Sequence, residues 1–167
     1  MILVTGFGPF REVLDNPSGA LAEAVDGAVV RGRQVRGLRL PVSYERACSL
    51  TREAAAGAEL VVGLGVATTR EGVQVECLAT NRCEGEDIDG ACPERLGEVP
   101  SREVRLEVER LARALGGTLS SDAGSYVCNA WLYTALRDLD VPVVFVHIAD
   151  AEALPPEVLL NGLEALL

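Results

Sequence analysis

Three short apolar runs, at residues 1–7, 60–66 and 141–148, constrain what this chain can become. Each is too short to stand alone as a helix and suits a strand, the run at 60–66 being continuous enough for one buried in a parallel sheet. Helical segments with matching end signals lie between the first two. Asn16 can cap a helix that begins with Pro17 and runs to about Asp26, where Gly27 closes it. A partly exposed strand at 34–42 follows, and Ser43 caps a second helix whose Tyr44, Ala47, Leu50, Thr51 and Ala54 recur at helical spacing as far as Gly57. This β-α-β-α-β rhythm predicts a three-layer α/β/α sandwich with a largely parallel sheet, in one domain spanning residues 1–167.

The second half continues the pattern less regularly. Residues 73–80 alternate, with Val73, Val75, Cys77 and Ala79 on one side and Gln74, Glu76, Leu78 and Thr80 on the other, so periodicity alone puts Glu76 on a solvated face. Residues 81–100 form an acidic, glycine- and proline-punctuated loop of a length that usually carries function. Ser101 then reads as the cap of a helix reaching about Leu115, with Val104, Val108, Leu111 and Leu115 as its apolar stripe. A short strand at 118–121, a helix from about Val127 to Leu139 and a final helix over 157–167 complete the chain.

The net charge of −10 argues against a nucleic-acid partner, whose phosphates this surface repels. All 15 basic residues are arginine, which removes Schiff-base and lysine-base chemistry. Five cysteines without CxxC spacing, no apolar leader and no apolar run approaching the length of a membrane span point to a reduced, cytoplasmic chain. A single histidine and no cysteine knuckle give no zinc ligand set, so no metal is expected. A homo-oligomer is compatible with the sequence, which does not fix the number of copies.

Chemistry concentrates where 120–129, rich in small and turn-forming residues, becomes a helix. Cys128 falls in the first helical turn, where free N–H groups and the helix dipole favour an anion. A thiol of ordinary pKa about 8.5 is expected to shift downward there beside an imidazolium. The only histidine, His147, lies at the carboxyl end of the last apolar run, where α/β sheets gather catalytic groups. A Cys–His pair is the minimum set for nucleophilic attack on a carbonyl. A third group usually holds the imidazole, and Glu76, Glu71, Asp150 and Glu152 all have the chemistry.

Four segments together resemble pyroglutamyl peptidase I (pyrrolidone-carboxylate peptidase), a family of cysteine exopeptidases. Val4-Thr5-Gly6-Phe7-Gly8-Pro9-Phe10 followed by Asn16-Pro17-Ser18 is similar to its opening signature. The stretch from Arg70 to Asn81 resembles the one ending in Glu-x-x-Ala-x-Asn, Ser121 to Asn129 resembles the nucleophile motif, and Phe145-Val146-His147 the histidine strand. The resemblance implies a sandwich around a twisted mixed sheet and a Cys128, His147, Glu76 triad. It also implies a ring pocket lined by Phe7 and Phe10, with Tyr126 and Val127 nearby. The implied activity is hydrolysis of the amide after an N-terminal 5-oxoproline in peptides, with no cofactor. Such a lactam is flat and neutral, so ring faces and hydrogen bonds suit it better than a carboxylate.

Departures are local. Arg11-Glu12 stand where the family has Gly-Gly, and the covering loop Ala-Arg-Ile-Pro-Asp-Asn is replaced by the shorter segment from Arg82 to Gly90. Arg82 is the available substitute for the loop arginine although it does not align with it. The proline that follows the histidine segment is absent, Ile148 being followed by Ala149-Asp150. A relative that binds pyroglutamyl ligands with little turnover is the competing reading, separated by whether a bound pyroglutamyl peptide is cleaved. A nucleoside phosphorylase on a similar sandwich is disfavoured because the chain has no phosphate-binding glycine loop or basic cluster.

Overall fold

The protein is described by a computed structural model covering residues 1–149 and 154–167. Strand β1 (Ile2–Phe7) is entirely buried and leads through a loop into α1 (Pro17–Ala24). The cap is the one its sequence predicts: the Asn16 side chain accepts the Ser18 N–H at 3.1 Å, and Pro17 opens the helix. Gly6 and Gly19 let α1 lie directly on β1, since a Cβ on either would run into the other element's backbone. A short hairpin follows, β2 (Val29–Val30) and β3 (Arg33–Leu40), turning on Arg31 and Gly32, both at positive φ. Then come α2 (Tyr44–Ala54), capped by Ser43, and β4 (Leu60–Val66).

The run at 73–80 is not one strand. It forms β5 (Val73–Glu76) in the main sheet and, after Cys77, β6 (Leu78–Thr80) in a separate ribbon. The partner of β6 is β7 (Ser101–Glu103), so Ser101 is a strand residue and not a helix cap. Helix α3 covers only Val108–Ala114. The remaining elements are β8 (Thr118–Ser120), α4 (Val127–Asp138), β9 (Val143–Ile148) and α5 (Pro156–Glu164).

The main sheet has the order β2-β3-β1-β4-β9-β5-β8. The pairs β3–β1, β1–β4, β4–β9 and β5–β8 are parallel, while β2–β3 and β5–β9 are antiparallel. It is thus the mostly parallel, mixed sheet expected. Alternate residues feed two cores. Ile2, Val4, Val62, Leu64, Val144 and Val146 pack with α1, α3 and α5, whereas Leu3, Val61, Val143 and Phe145 pack with α2 and α4. On the second face Trp131 is buried, and its indole donates to Thr51 Oγ1 at 2.8 Å, joining α4 to α2. Strands β1, β4 and β9 point their carboxyl ends the same way, toward the mouth of the site.

Candidate active site

Cys128 is the second residue of α4. The approach to the helix is held by its own turns: Ser120 Oγ accepts the Asp122 N–H at 3.2 Å, Asp122 Oδ1 accepts the Gly124 N–H at 3.0 Å, and Gly124 takes a positive φ. Tyr126 occupies the cap position in an extended conformation without a side-chain bond to the helix. The first helical hydrogen bond is Ala130 N–H to the Tyr126 carbonyl at 3.1 Å, so the N–H groups of Val127 and Cys128 have no helical acceptor. Just behind the sulfur, buried Asn129 accepts from the Thr80 N–H at 2.8 Å and donates to the carbonyls of Thr80 and Arg82 at 2.9 Å each. The start of α4 is thereby fastened to β6.

His147 faces the same side of the sheet. It is buried on β9, in register with Gly65 of β4, and a Cβ built on Gly65 would stand 2.7 Å from the Cys128 sulfur. Its Nδ1 lies 2.7 Å from Glu76 Oε1. Glu76 pairs in register with Phe145, so the carboxylate reaches His147 diagonally across the antiparallel β5–β9 seam. The expectation that Glu76 sits on a solvated face is wrong: it is fully buried, lying under His147 and under Arg70, which also bonds the Asp122 carbonyl in the segment leading to Cys128. Glu76 Oε1 also accepts from Arg70 Nη1 at 3.0 Å, whereas Oε2 is buried without a donor among the described residues.

Cys128 and His147 open on a cavity of about 250 Å³ that is also lined by Phe7, Phe10, Val42, Tyr126 and Val127. The site residues read from sequence therefore meet in one place, Glu76 lying behind His147. Phe7 is fixed from below, its N–H donating to Ser18 Oγ at 3.0 Å, and Asn16 Nδ2 holds the Gly8 carbonyl at 3.0 Å. Asn16 is thus both a helix cap and a clamp on the pocket loop. Phe10 stands 6.1 Å from the Tyr126 ring, and Tyr44 meets Tyr126 edge-on at 5.8 Å.

The covering loop is anchored by Asp87, a residue the sequence reading missed. Its carboxylate accepts the N–H groups of Tyr44 at 2.7 Å, Asp89 at 2.8 Å and Ala91 at 2.9 Å. Desolvation opposes the Asp87 charge, but these bonds outweigh it and hold the pKa below the ordinary carboxylate value. Tyr44 and Tyr126 donate their hydroxyls to the carbonyls of Gly85 and Glu86, at 3.0 and 2.9 Å. The Asp89-Gly90 step signals a turn, closed by the Gly90 N–H on the Asp87 carbonyl at 3.1 Å, but nothing local shows that the Asp87 carboxylate also takes the Tyr44 N–H from a distant helix, which is why the anchor was not legible.

Other expectations need correction. Burial pushes the Cys128 thiol up to about 12, with the Glu76 charge adding to the rise; its own backbone N–H and Arg70 oppose without prevailing. The predicted downward shift is reversed because the helix terminus is weaker than desolvation in this pocket. Arg82 is exposed and contributes its carbonyl to Asn129; it does not line the cavity. The arginine beside Glu76 and His147 is Arg70. Of the alternative third groups, Glu71 is exposed, and Asp150 and Glu152 lie outside the described residues. Among the described residues no cluster of three His, Cys, Asp or Glu side chains could hold a metal, and no helix is long and apolar enough to cross a membrane.

The arrangement has relatives. The family model for pyroglutamyl peptidase matches residues 1–151. A pyrrolidone-carboxylate peptidase of Saccharolobus islandicus is 33% identical over 150 residues, covering 82% of this chain and 72% of that protein. One from Halalkalibacterium halodurans is 32% identical over 172 aligned positions, covering 92% and 86%. The crystal structure of pyrrolidone carboxyl peptidase from Thermus thermophilus superposes with a TM-score of 0.83 at 31% identity, covering 99% of this chain and 98% of that one. Pyroglutamyl peptidase I from Bacillus amyloliquefaciens shares the fold at 21% identity, with a TM-score of 0.87 and coverage of 99% and 91%. By sequence along most of its length, and by a fold that carries the signature segments to one cavity, the chain belongs to the pyroglutamyl peptidase family of cysteine peptidases.

Proposed function

We propose that this protein hydrolyses the amide bond after an N-terminal pyroglutamyl residue through a thioester on Cys128, with His147 as base and then acid and Glu76 as its orienting partner. The observation that carries the reading is the 2.7 Å contact between His147 Nδ1 and a buried Glu76, beside a cysteine whose sulfur sits over the strand next to His147. With Nδ1–H given to Glu76, Nε2 is the nitrogen left to take the thiol proton.

The raised thiol decides the order of events. Cys128 rests protonated, and His147 removes the proton as the sulfur attacks the pyroglutamyl carbonyl. The oxyanion is received by backbone N–H groups at the first turn of α4, a type of contact worth about 3–4 kcal/mol per donor. His147 then protonates the departing amine as the C–N bond breaks, and water, deprotonated by the same imidazole, cleaves the thioester. The flat lactam lies between Phe7, Phe10 and Tyr126, and a neutral ring fits a wall with no carboxylate among its lining residues. The whole chain acts as one catalytic domain, and we place it in the cytoplasm on its five unpaired cysteines.

The test is a comparison of hydrolysis rates on pyroglutamyl, prolyl and alanyl reporter amides. Release from the pyroglutamyl amide at least about a hundredfold faster than from the others is expected, the scale of discrimination by pocket shape alone, to which hydrogen bonds to the lactam would add. Tight binding of a pyroglutamyl peptide that emerges intact would overturn it.

A further inference from the structure

Arg70 lies in the loop between β4 and β5, and its side chain is three-quarters buried. Nη1 donates to Gln74 Oε1 at 2.7 Å, to Glu76 Oε1 at 3.0 Å and, at 3.4 Å, to Ser120 Oγ. Nη2 donates to the Asp122 carbonyl and stands 4.0 Å from the Asp122 carboxylate. One side chain thus joins β5, the end of β8 and the segment that delivers Cys128. Its fork is what permits this, since a lysine ammonium has three N–H donors on one nitrogen and cannot serve acceptors from two.

The decisive detail is that Glu76 Oε1 is shared. Arg70 and His147 both approach the same oxygen, and the other carboxylate oxygen has no donor among the described residues. Among the described residues, the charged or titratable groups facing this cluster are His147 from β9, Cys128 from α4, Glu76 from β5 and Asp122 from the loop after β8. Without the guanidinium, Glu76 would be an uncompensated buried charge, and it would hold a protonated imidazole in an ion pair. A proton so held is not released to a leaving amine.

We propose that Arg70 is a positioning residue for the reaction: by dividing the Glu76 oxygen with His147 and tying the Glu76 strand to the Cys128 loop, it keeps the imidazole able both to take and to give the proton. The inference rests on the peptidase reading, but part of its test does not. Because the chain has a single histidine, the imidazole ¹⁵N resonances can belong only to His147.

The experiment compares the parent with Arg70→Met and Arg70→Lys. In Arg70→Met, kcat on a pyroglutamyl amide should fall by about a hundredfold with KM changed less than about threefold, the pattern of a group felt in the transition state. The acid limb of the kcat/KM profile should move to higher pH, the imidazolium resonances should persist to higher pH, and added guanidinium should restore part of kcat. Arg70→Lys should fall between the two and carries the same measurements if the methionine variant does not fold. Parent-like kcat, or a loss of kcat with histidine titrations that superimpose and no response to guanidinium, would overturn the proposal. A parent inactive on every pyroglutamyl amide would instead defeat the functional reading, while the histidine titrations would still decide whether Arg70 and His147 are coupled through Glu76.

Discussion

The sulfur of Cys128 occupies the space that the missing side chain of Gly65 leaves open. A Cβ there would stand 2.7 Å from Sγ and 2.7 Å from the Phe145 ring, closer than real contacts allow. Gly65→Ala should therefore displace the Cys128 sulfur or the ring that supports it. We expect a loss of at least tenfold in kcat/KM and a destabilisation of about 1–3 kcal/mol, the usual range for overpacking, measured by kinetics and denaturant unfolding. Parent-like activity in a stable Gly65→Ala protein would show that the sulfur reacts from elsewhere.

Only one of the five cysteines should matter for turnover. Cys128→Ser should abolish activity, while Cys48→Ser, Cys77→Ser, Cys83→Ser and Cys92→Ser keep most of it. Alkylation mapped by mass spectrometry should mark exposed Cys92 early, and activity should track modification of Cys128 alone.

Alkaline conditions should weaken the fold. Burial raises the thiols of Cys48, Cys77, Cys83 and Cys128, with Cys83 reaching about 11 and Cys128 about 12, and it raises the Tyr44 hydroxyl as well. Between pH 9 and 12 the folded chain keeps protons that the unfolded chain has lost. Stability present below the ordinary thiol value of 9.0 is then lost as pH climbs through the folded values. Urea unfolding at pH 8 and pH 10.5 should show a lower midpoint at the higher pH, with a smaller drop in Cys83→Ser.

Removing the Asp87 charge should loosen the pocket's cover. In Asp87→Asn an amide replaces a carboxylate that receives three backbone N–H groups, at a cost of about 1–3 kcal/mol. KM should rise more than kcat falls, because the loop bears on the Tyr44–Tyr126 wall and not on the sulfur. The low pKa of Asp87 means that its contribution is present above the ordinary carboxylate range and lost below it, so the parent should lose this advantage over Asp87→Asn at acid pH.

Arg11 should trade strain for order. It sits at φ 48° in the tight turn closed by Phe10 and Val13, with its guanidinium 4.7 Å from the centre of the Tyr126 ring. Glycine at this position removes about 1 kcal/mol of backbone strain and forfeits a cation–π contact of about the same size. Arg11→Gly should leave the melting temperature within a few degrees of the parent while raising KM. An unchanged KM would show that Arg11 does not steady the Tyr126 wall.

Where local signals and burial agreed, the sequence was readable. Pro17 behind Asn16, Ser43 before Tyr44, and the runs feeding β4 and β9 each announced one element, and the elements assembled as the rhythm implied. It failed at 101–107, where Val104, Val108, Leu111 and Leu115 fit a helical period. There Arg102, Val104 and Leu106 alternate with exposed neighbours as an extended chain does, and β7 pairs with β6 across a long loop. No local pattern encodes that pairing. Glu76 was misplaced by periodicity for a related reason: alternation reports two faces but not whether both are covered. The resemblance supplied the role expected of it, and neither route gave a role to Arg70 or Asp87, which act through bonds to backbone and side chains on other elements.

The meeting of opposed chain directions at the β5–β9 seam has a consequence for how this chemistry can vary. A slip of one residue along that ladder would turn Glu76 toward the α3–α5 layer and present Val75 or Cys77 to the imidazole instead. Backbone pairing is therefore as much a determinant of the proposed proton path as any side chain, and insertions or deletions within β5 should be far more damaging than changes of equal length in the 81–100 loop.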